Sequence, residues 1–229
     1  MKRIDTATRR AKEEILSGTL NPIRHHLTDQ LIEAHCRSAQ HSWYPCLWNP
    51  VLTVLACIWK QMHATASARQ VEDWITSRGS AEVTRCGDGS DFCAARQRLP
   101  LAVFRQVLQA VGQNVSAKAG RVFHGLPVWI TDGTTLRTPN TLENESAFGR
   151  SENQTRRSRS PLLRLVILVC AGCGTVLGGV VGPYVKSEWE LFLELLIEFP
   201  TGGLLIADQL YGSFLVLALM QQRGSHLLT

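Results

Sequence analysis

Leu126-Pro127-Val128-Trp129-Ile130-Thr131-Asp132 and Leu204-Leu205-Ile206-Ala207-Asp208 are short apolar runs, and each ends on an aspartate. Both have strand length and a β-rich composition. Gly133-Thr134-Thr135 follows the first and Gln209-Leu210-Tyr211-Gly212 the second. Carboxylates delivered from neighbouring strand ends form half of a divalent-metal site, because hard cations such as Mg²⁺ take oxygen ligands together with water and substrate phosphate. The pattern therefore raises a metal-dependent phosphoryl-transfer site. Aspartates that simply close a strand into a turn fit the spacing equally well.

Working outward, the segment between the two runs holds strands at Leu163–Ala171 and Thr175–Tyr184, then a helix at Ser187–Phe199 opened by a Ser187/Glu190 capping box. Beyond Asp208 come a helix at Ser213–Arg223 with Gly224 as its cap, and a strand start at His226–Thr229. The order is β-β-β-α-β-α-β. A chain that stops inside an apolar strand start suggests a truncated product. Leu165–Gly182 carries no charge and reaches the lower length of a membrane span. Its glycines and β-branched residues, with Ala171-Gly172-Cys173-Gly174 at the centre, favour a buried hairpin instead.

Upstream, the periodicity is helical. Helices are expected at Leu27–Gln40 with Thr28 and Asp29 as cap candidates, at Val51–His63 after Asn49-Pro50, at Ser67–Arg78, at Ser90–Arg98 and at Pro100–Asn114. The division that follows is a basic tail over 1–24, a helical domain over 25–118 and a mixed-sheet domain over 119–229, hence an α+β chain.

A 229-residue chain with 45% hydrophobic and 19% charged residues is globular rather than disordered. Its net charge of +5 suits a polyanionic partner such as nucleic acid. Arg150, Arg156, Arg157, Arg159 and Arg164 cluster after the first aspartate run, where they form either a phosphate-gripping loop or a solvated basic one. Seven cysteines and a polar start without a secretory signal indicate reduced thiols and a cytoplasmic setting. Cys170-x-x-Cys173 lacks the further ligands that zinc requires and reads as buried thiols. Glu190, Glu194 and Glu198 follow the spacing of a solvated helix face, and Glu188 precedes them; a helix-borne glutamate could complete a metal triad.

Trp129–Leu136 with Pro139-Asn140-Thr141 and Glu143-Asn144 resembles the first catalytic block of bacterial insertion-sequence transposases of the "IS-four" group. Leu163–Tyr184 resembles the hairpin that follows it, and Leu205–Asp208 with Tyr211-Gly212-Ser213-Phe214 resembles the second block. Ser67–Arg78 and Ser90–Pro100 are similar to the group's helical N-terminal region. The resemblance implies a ribonuclease H-like fold with a DDE carboxylate triad, in which Asp132 and Asp208 are catalytic metal ligands for Mg²⁺ or Mn²⁺. It implies metal-assisted cleavage and strand transfer, double-stranded DNA (transposon ends and target) as partner, homo-oligomerisation and a nucleoid-associated location. The third acid, a glutamate in a Tyr-x2-Arg-x3-Glu-x6-Lys block, has no counterpart here, so an inactive fragment is expected. Gln209 stands where an arginine is frequent. A non-catalytic DNA-binding remnant that competes with a full-length enzyme is the alternative expectation.

Overall fold

Capping signals set the helix starts in the first part of the chain. The computed structural model describes Glu13, Gly18, Leu20 and residues 25–79, 88–120, 122–153, 156–157 and 159–229. Most of the basic tail and Cys86 lie outside the described residues, as do the side chains of Arg156 and Arg157. The chain divides into two units, Met1–Val107 and Leu108–Thr229.

In the first unit, α1 (Asp29–Ser38) begins where the Thr28 hydroxyl accepts the Leu31 N–H at 3.3 Å. Helix α2 (Pro50–Met62) begins where Asn49 Oδ1 accepts the Leu52 N–H at 2.9 Å, with proline at the position that needs no donor. Its apolar run is buried over Val51–Ala56 and half-exposed over Cys57–Lys60. Helix α3 (Ala68–Gly79) opens on a reciprocal Ser67/Gln70 box at 3.2 and 2.7 Å and buries Val71 and Ile75.

At the start of helix α4 (Ser90–Arg98) Asp88 Oδ1 accepts the Ser90 N–H at 2.8 Å, and Gly89, which has no side chain to cap with, enters the helix at φ +88°. A Cβ there would stand 2.6 Å from the Arg69 backbone nitrogen, so glycine is needed at this close approach. Helix α3 also caps it: the buried Glu72 carboxylate accepts backbone N–H bonds from Gly89 and Phe92. Burial pushes the Glu72 carboxyl up, and the nearby Asp91 charge adds to this. An acid raised in the folded state favours folding below its unfolded value, and that advantage disappears as pH climbs through the raised value. Glu72→Gln keeps an acceptor and removes the charge. Its unfolding midpoint, relative to the parent, is expected to be higher at neutral pH, with the gap closing toward about pH 4. A pH-independent gap in urea titrations would contradict this origin.

Helix α5 (Leu101–Ser116) follows, and the divide between the units falls within it. Val103 and Val107 are buried, while Leu101 and Leu108 are exposed.

The second unit is built on a five-stranded sheet in the order β5-β4-β1-β6-β7. Strand β1 (Val128–Arg137) pairs antiparallel with β4 (Leu162–Cys170), which pairs antiparallel with β5 (Val176–Pro183). On its other side β1 runs parallel to β6 (Leu204–Ile206), and β6 runs parallel to β7 (His226–Leu228). Strand β1 continues five residues past Asp132, because pairing with β4 extends to Arg137↔Leu162. The polar stretch beyond it contains helix α6 (Leu142–Phe148), capped by Thr141, and a ribbon of β2 (Glu152–Asn153) and β3 (Arg156–Arg157). These elements are too short to show a period. Helix α7 (Glu188–Ile197) starts at the expected Ser187/Glu190 capping box, and α8 (Phe214–Gln222) starts at Ser213.

The uncharged run is a hairpin: Gly174 turns at φ +69° and the Cys170 N–H reaches the Thr175 carbonyl at 2.9 Å. Among the described residues no helix is long and apolar enough to cross a membrane. Cys170 is buried as expected, but Cys173 is exposed because the turn carries it outward. Strand alternation places Trp129, Val166, Leu168 and Leu205 in one core with Leu191, Phe192 and Leu195 of α7 and Val216 and Met220 of α8. The alternate positions Ile130, Val181 and Leu228 are exposed.

Candidate active site at the ends of two parallel strands

Parallel pairing of β1 with β6 runs Val128↔Leu204, Trp129↔Leu205, Ile130↔Ile206. Continuing that register by two residues sets Asp132, midway along β1, opposite Asp208, two residues past the end of β6. Period-two alternation sends both side chains to the face opposite the Trp129/Leu205 core, and both aspartates are exposed. Asp132 Oδ1 accepts the Gly133 N–H at 2.8 Å. Asp208 Oδ1 accepts the Leu210 N–H at 3.1 Å and caps the 3₁₀ turn Gln209–Tyr211. Asp208 thus makes a turn-capping bond of the kind the simpler reading expects, whereas Asp132 lies within β1 and bonds the next backbone N–H of the strand.

Two groups beside this pair were not singled out as site residues in the sequence. Glu188, the first residue of α7, lies against Gly133: a Cβ at 133 would fall 2.0 Å from Glu188 Cδ. The Tyr211 hydroxyl donates to Glu188 Oε1. Tyr211 is fully buried and its ring centroid is 4.5 Å from that of Phe192, one turn along α7 from Glu188. Burial pushes the Tyr211 phenol up, as do the hydrogen bond to Glu188 and the charges of Glu188, Asp132 and Asp208. The capping box fixed Glu188 at the helix start, but its contact with a strand remote in sequence has no local signature. Glu190, Glu194 and Glu198 are exposed, as their spacing predicts.

The arginines occupy distinct environments. Arg150 Nη1 donates to the Arg159 carbonyl at 2.6 Å, and its Nη2 donates to Asn140 Oδ1 at 2.6 Å and to Glu145 Oε2 at 2.8 Å. It therefore ties the start, the helix and the far end of the β1–β4 insertion together. Arg164 sits over the Tyr184 ring, 5.2 Å from its centroid. Arg159 is exposed, and Arg156 and Arg157 form β3. The insertion leaves β1 five residues past Asp132, about 17 Å along an extended strand.

Exposed carboxylate oxygens suit a hard divalent cation. Among the described residues no group of three or more His, Cys, Asp and Glu side chains is placed to hold a metal ion. A cation here would be held by Asp132 and Asp208, with water and phosphate oxygens completing its shell.

The layout, a mixed sheet with helices against one core, is that of an α+β ribonuclease H-like transposase fold. Residues 124–229 match the family described as "Transposase DDE domain". It is 33% identical over 135 residues to "Putative transposase InsZ" of Escherichia coli (strain K12), an alignment covering 57% of this chain and 44% of that protein. The chain thus spans less than half the length of the curated relative it matches. No solved structure matches.

Proposed function

We propose that these residues are part of an insertion-sequence DNA transposase, a metal-dependent phosphoryl-transfer enzyme acting on double-stranded DNA in the cytoplasm at the nucleoid. The observation that supports the reading is the parallel pairing of β1 with β6 through Ile130↔Ile206, two residues before Asp132 and Asp208, within the segment matching the "Transposase DDE domain" family. Asp132 and Asp208 hold Mg²⁺ or Mn²⁺, which supplies Lewis-acid polarisation of a phosphodiester and a more acidic bound water. Arg159 and the Arg156–Arg157 ribbon meet phosphate oxygens, Arg164 borders them, and Arg150 keeps the insertion in shape for that contact. The complete transposase acts as a homo-oligomer on transposon ends.

Residues 1–229 alone carry two of the three acids that the family resemblance implies, so they bind DNA without cutting it. Such a protein could also occupy ends and compete with a complete transposase, a reading favoured by the lack of a third acid grouped with the pair among the described residues.

Fluorescence anisotropy with a duplex bearing the element's terminal sequence tests this. Binding is expected to weaken steeply between about 50 and 200 mM salt, with a log–log slope of about −0.9 per phosphate neutralised. The duplex is expected to remain intact in Mn²⁺. Absent or salt-insensitive binding would overturn the DNA assignment, and a Mn²⁺-dependent nick would overturn the inactivity of these residues.

A further inference from the structure

Strand alternation separates Glu188 from the two aspartates in an informative way. Asp132 points to the open face of the sheet, and the position next to it, Gly133, faces the opposite way, toward α7. Glu188 fills the space that a side chain at 133 would take, with Cγ, Cδ and Oε1 at 2.5, 2.0 and 2.3 Å from the site of a Cβ. It therefore underlies β1 immediately after Asp132, on the far side of the backbone from the Asp132 carboxylate. Its partner Tyr211 ends the 3₁₀ turn that Asp208 caps. The Tyr211 ring is fixed from one side by Phe192, which belongs to the same helix as Glu188. One end of the Glu188–Tyr211 contact thus touches the strand carrying the first aspartate, and the other touches the turn carrying the second.

We propose that Glu188, acting through the Tyr211 hydroxyl, is a positioning residue that sets the separation of the Asp132 and Asp208 carboxylates from beneath the sheet, rather than a third metal ligand. The inference rests on the reading of Asp132 and Asp208 as the cation-binding pair. The hydrogen bond is made in a partly buried setting, and supporting contacts of this kind typically change metal affinity by about 10- to 100-fold. Gly133 is part of the same arrangement, because any side chain there would displace the Glu188 carboxylate. Glu188 is half-buried at the first turn of α7.

The test is Mn²⁺ binding to the 229-residue chain by calorimetry, with the unfolding midpoint measured in parallel for every variant. Tyr211→Phe and Glu188→Ala are each expected to weaken Mn²⁺ binding about tenfold. The double variant is expected to lie within about threefold of either single, because both changes break one contact. Gly133→Ala, which expels Glu188 without touching Tyr211, is expected to match them. Leu195→Ala opens a cavity in the same core away from this contact. It is expected to lower the unfolding midpoint and leave Mn²⁺ affinity unchanged, which separates positioning from general loss of stability. Unchanged or tighter binding by Tyr211→Phe, or losses that multiply in the double variant, would overturn the positioning role while leaving the aspartate pair standing. No Mn²⁺ binding by the parent, or binding unaffected by Asp132→Asn, would overturn the aspartate pair and this inference with it.

Discussion

Asp132→Asn is expected to remove measurable Mn²⁺ binding while leaving the unfolding midpoint unchanged or slightly raised. Neighbouring strands lie about 4.8 Å apart, so the register that sets Asp132 opposite Asp208 brings two like charges close together. Without a cation they repel, and neutralising one relieves that repulsion. The backbone bond survives the change, because asparagine keeps an oxygen to accept the Gly133 N–H. What disappears is one of two anionic ligands for a hard cation, and the loss should exceed the roughly 10- to 100-fold produced by a supporting residue. Asp208→Asn should behave alike, since its oxygen likewise caps the Gln209–Tyr211 turn. Calorimetric titration with Mn²⁺ and thermal unfolding of the same samples read both quantities. Retained binding would reduce the aspartates to backbone acceptors. A midpoint lowered by several degrees would show that the charge itself serves the fold, as no functional site should require.

This pair is visible in the sequence because apolar runs that end on a carboxylate leave a local pattern. The helix starts at Thr28, Asn49, Ser187 and Ser213 were legible for the same reason: a cap is a contact within four residues of itself. What escaped the reading depends on partners far along the chain. The extension of β1 through Gly133–Arg137 exists because β4 lies beside it, and those residues alone are too polar to announce a strand. The Glu72 cap of α4 comes from another helix, seventeen positions before Gly89, so no motif marks it. In the sequence Glu188 is one of four glutamates near or on one helix. Only the approach to Gly133 and Tyr211 distinguishes it from Glu190, Glu194 and Glu198. Arg150 looked like its neighbours in an arginine cluster, and its bonds to Asn140, Glu145 and Arg159 become apparent only once the insertion is folded.

Gly203→Ala is expected to cost about 3 kcal/mol, the upper part of the usual range for overpacking a core, and to lower the unfolding midpoint by roughly 10 °C. Gly203 is the buried residue just before β6, and a Cβ there would lie 2.3 Å from both Cζ3 and Cη2 of Trp129 and 2.7 Å from the Pro127 carbonyl oxygen. Neither neighbour yields easily. The Trp129 indole is 4% exposed and meets the Phe199 ring edge-on, with centroids 5.0 Å apart. The Pro127 carbonyl accepts the Leu204 N–H at 2.9 Å, the bond that starts the β1–β6 pairing. The Gly203 carbonyl in turn accepts the His226 N–H at 2.8 Å, so moving this residue also strains the entry to β7. The one group that can be made smaller is the indole. Trp129→Phe in the Gly203→Ala background should recover part of the loss although it is destabilising alone, a coupling that a double-mutant cycle measures directly. Gly203→Ala within about 0.5 kcal/mol of the parent would show that the contact relaxes freely. If the cost is as large as expected, the gap between β1 and β6 is fixed at its base by a glycine, and the separation of Asp132 from Asp208 at its other end follows from that packing as well as from the Glu188–Tyr211 contact.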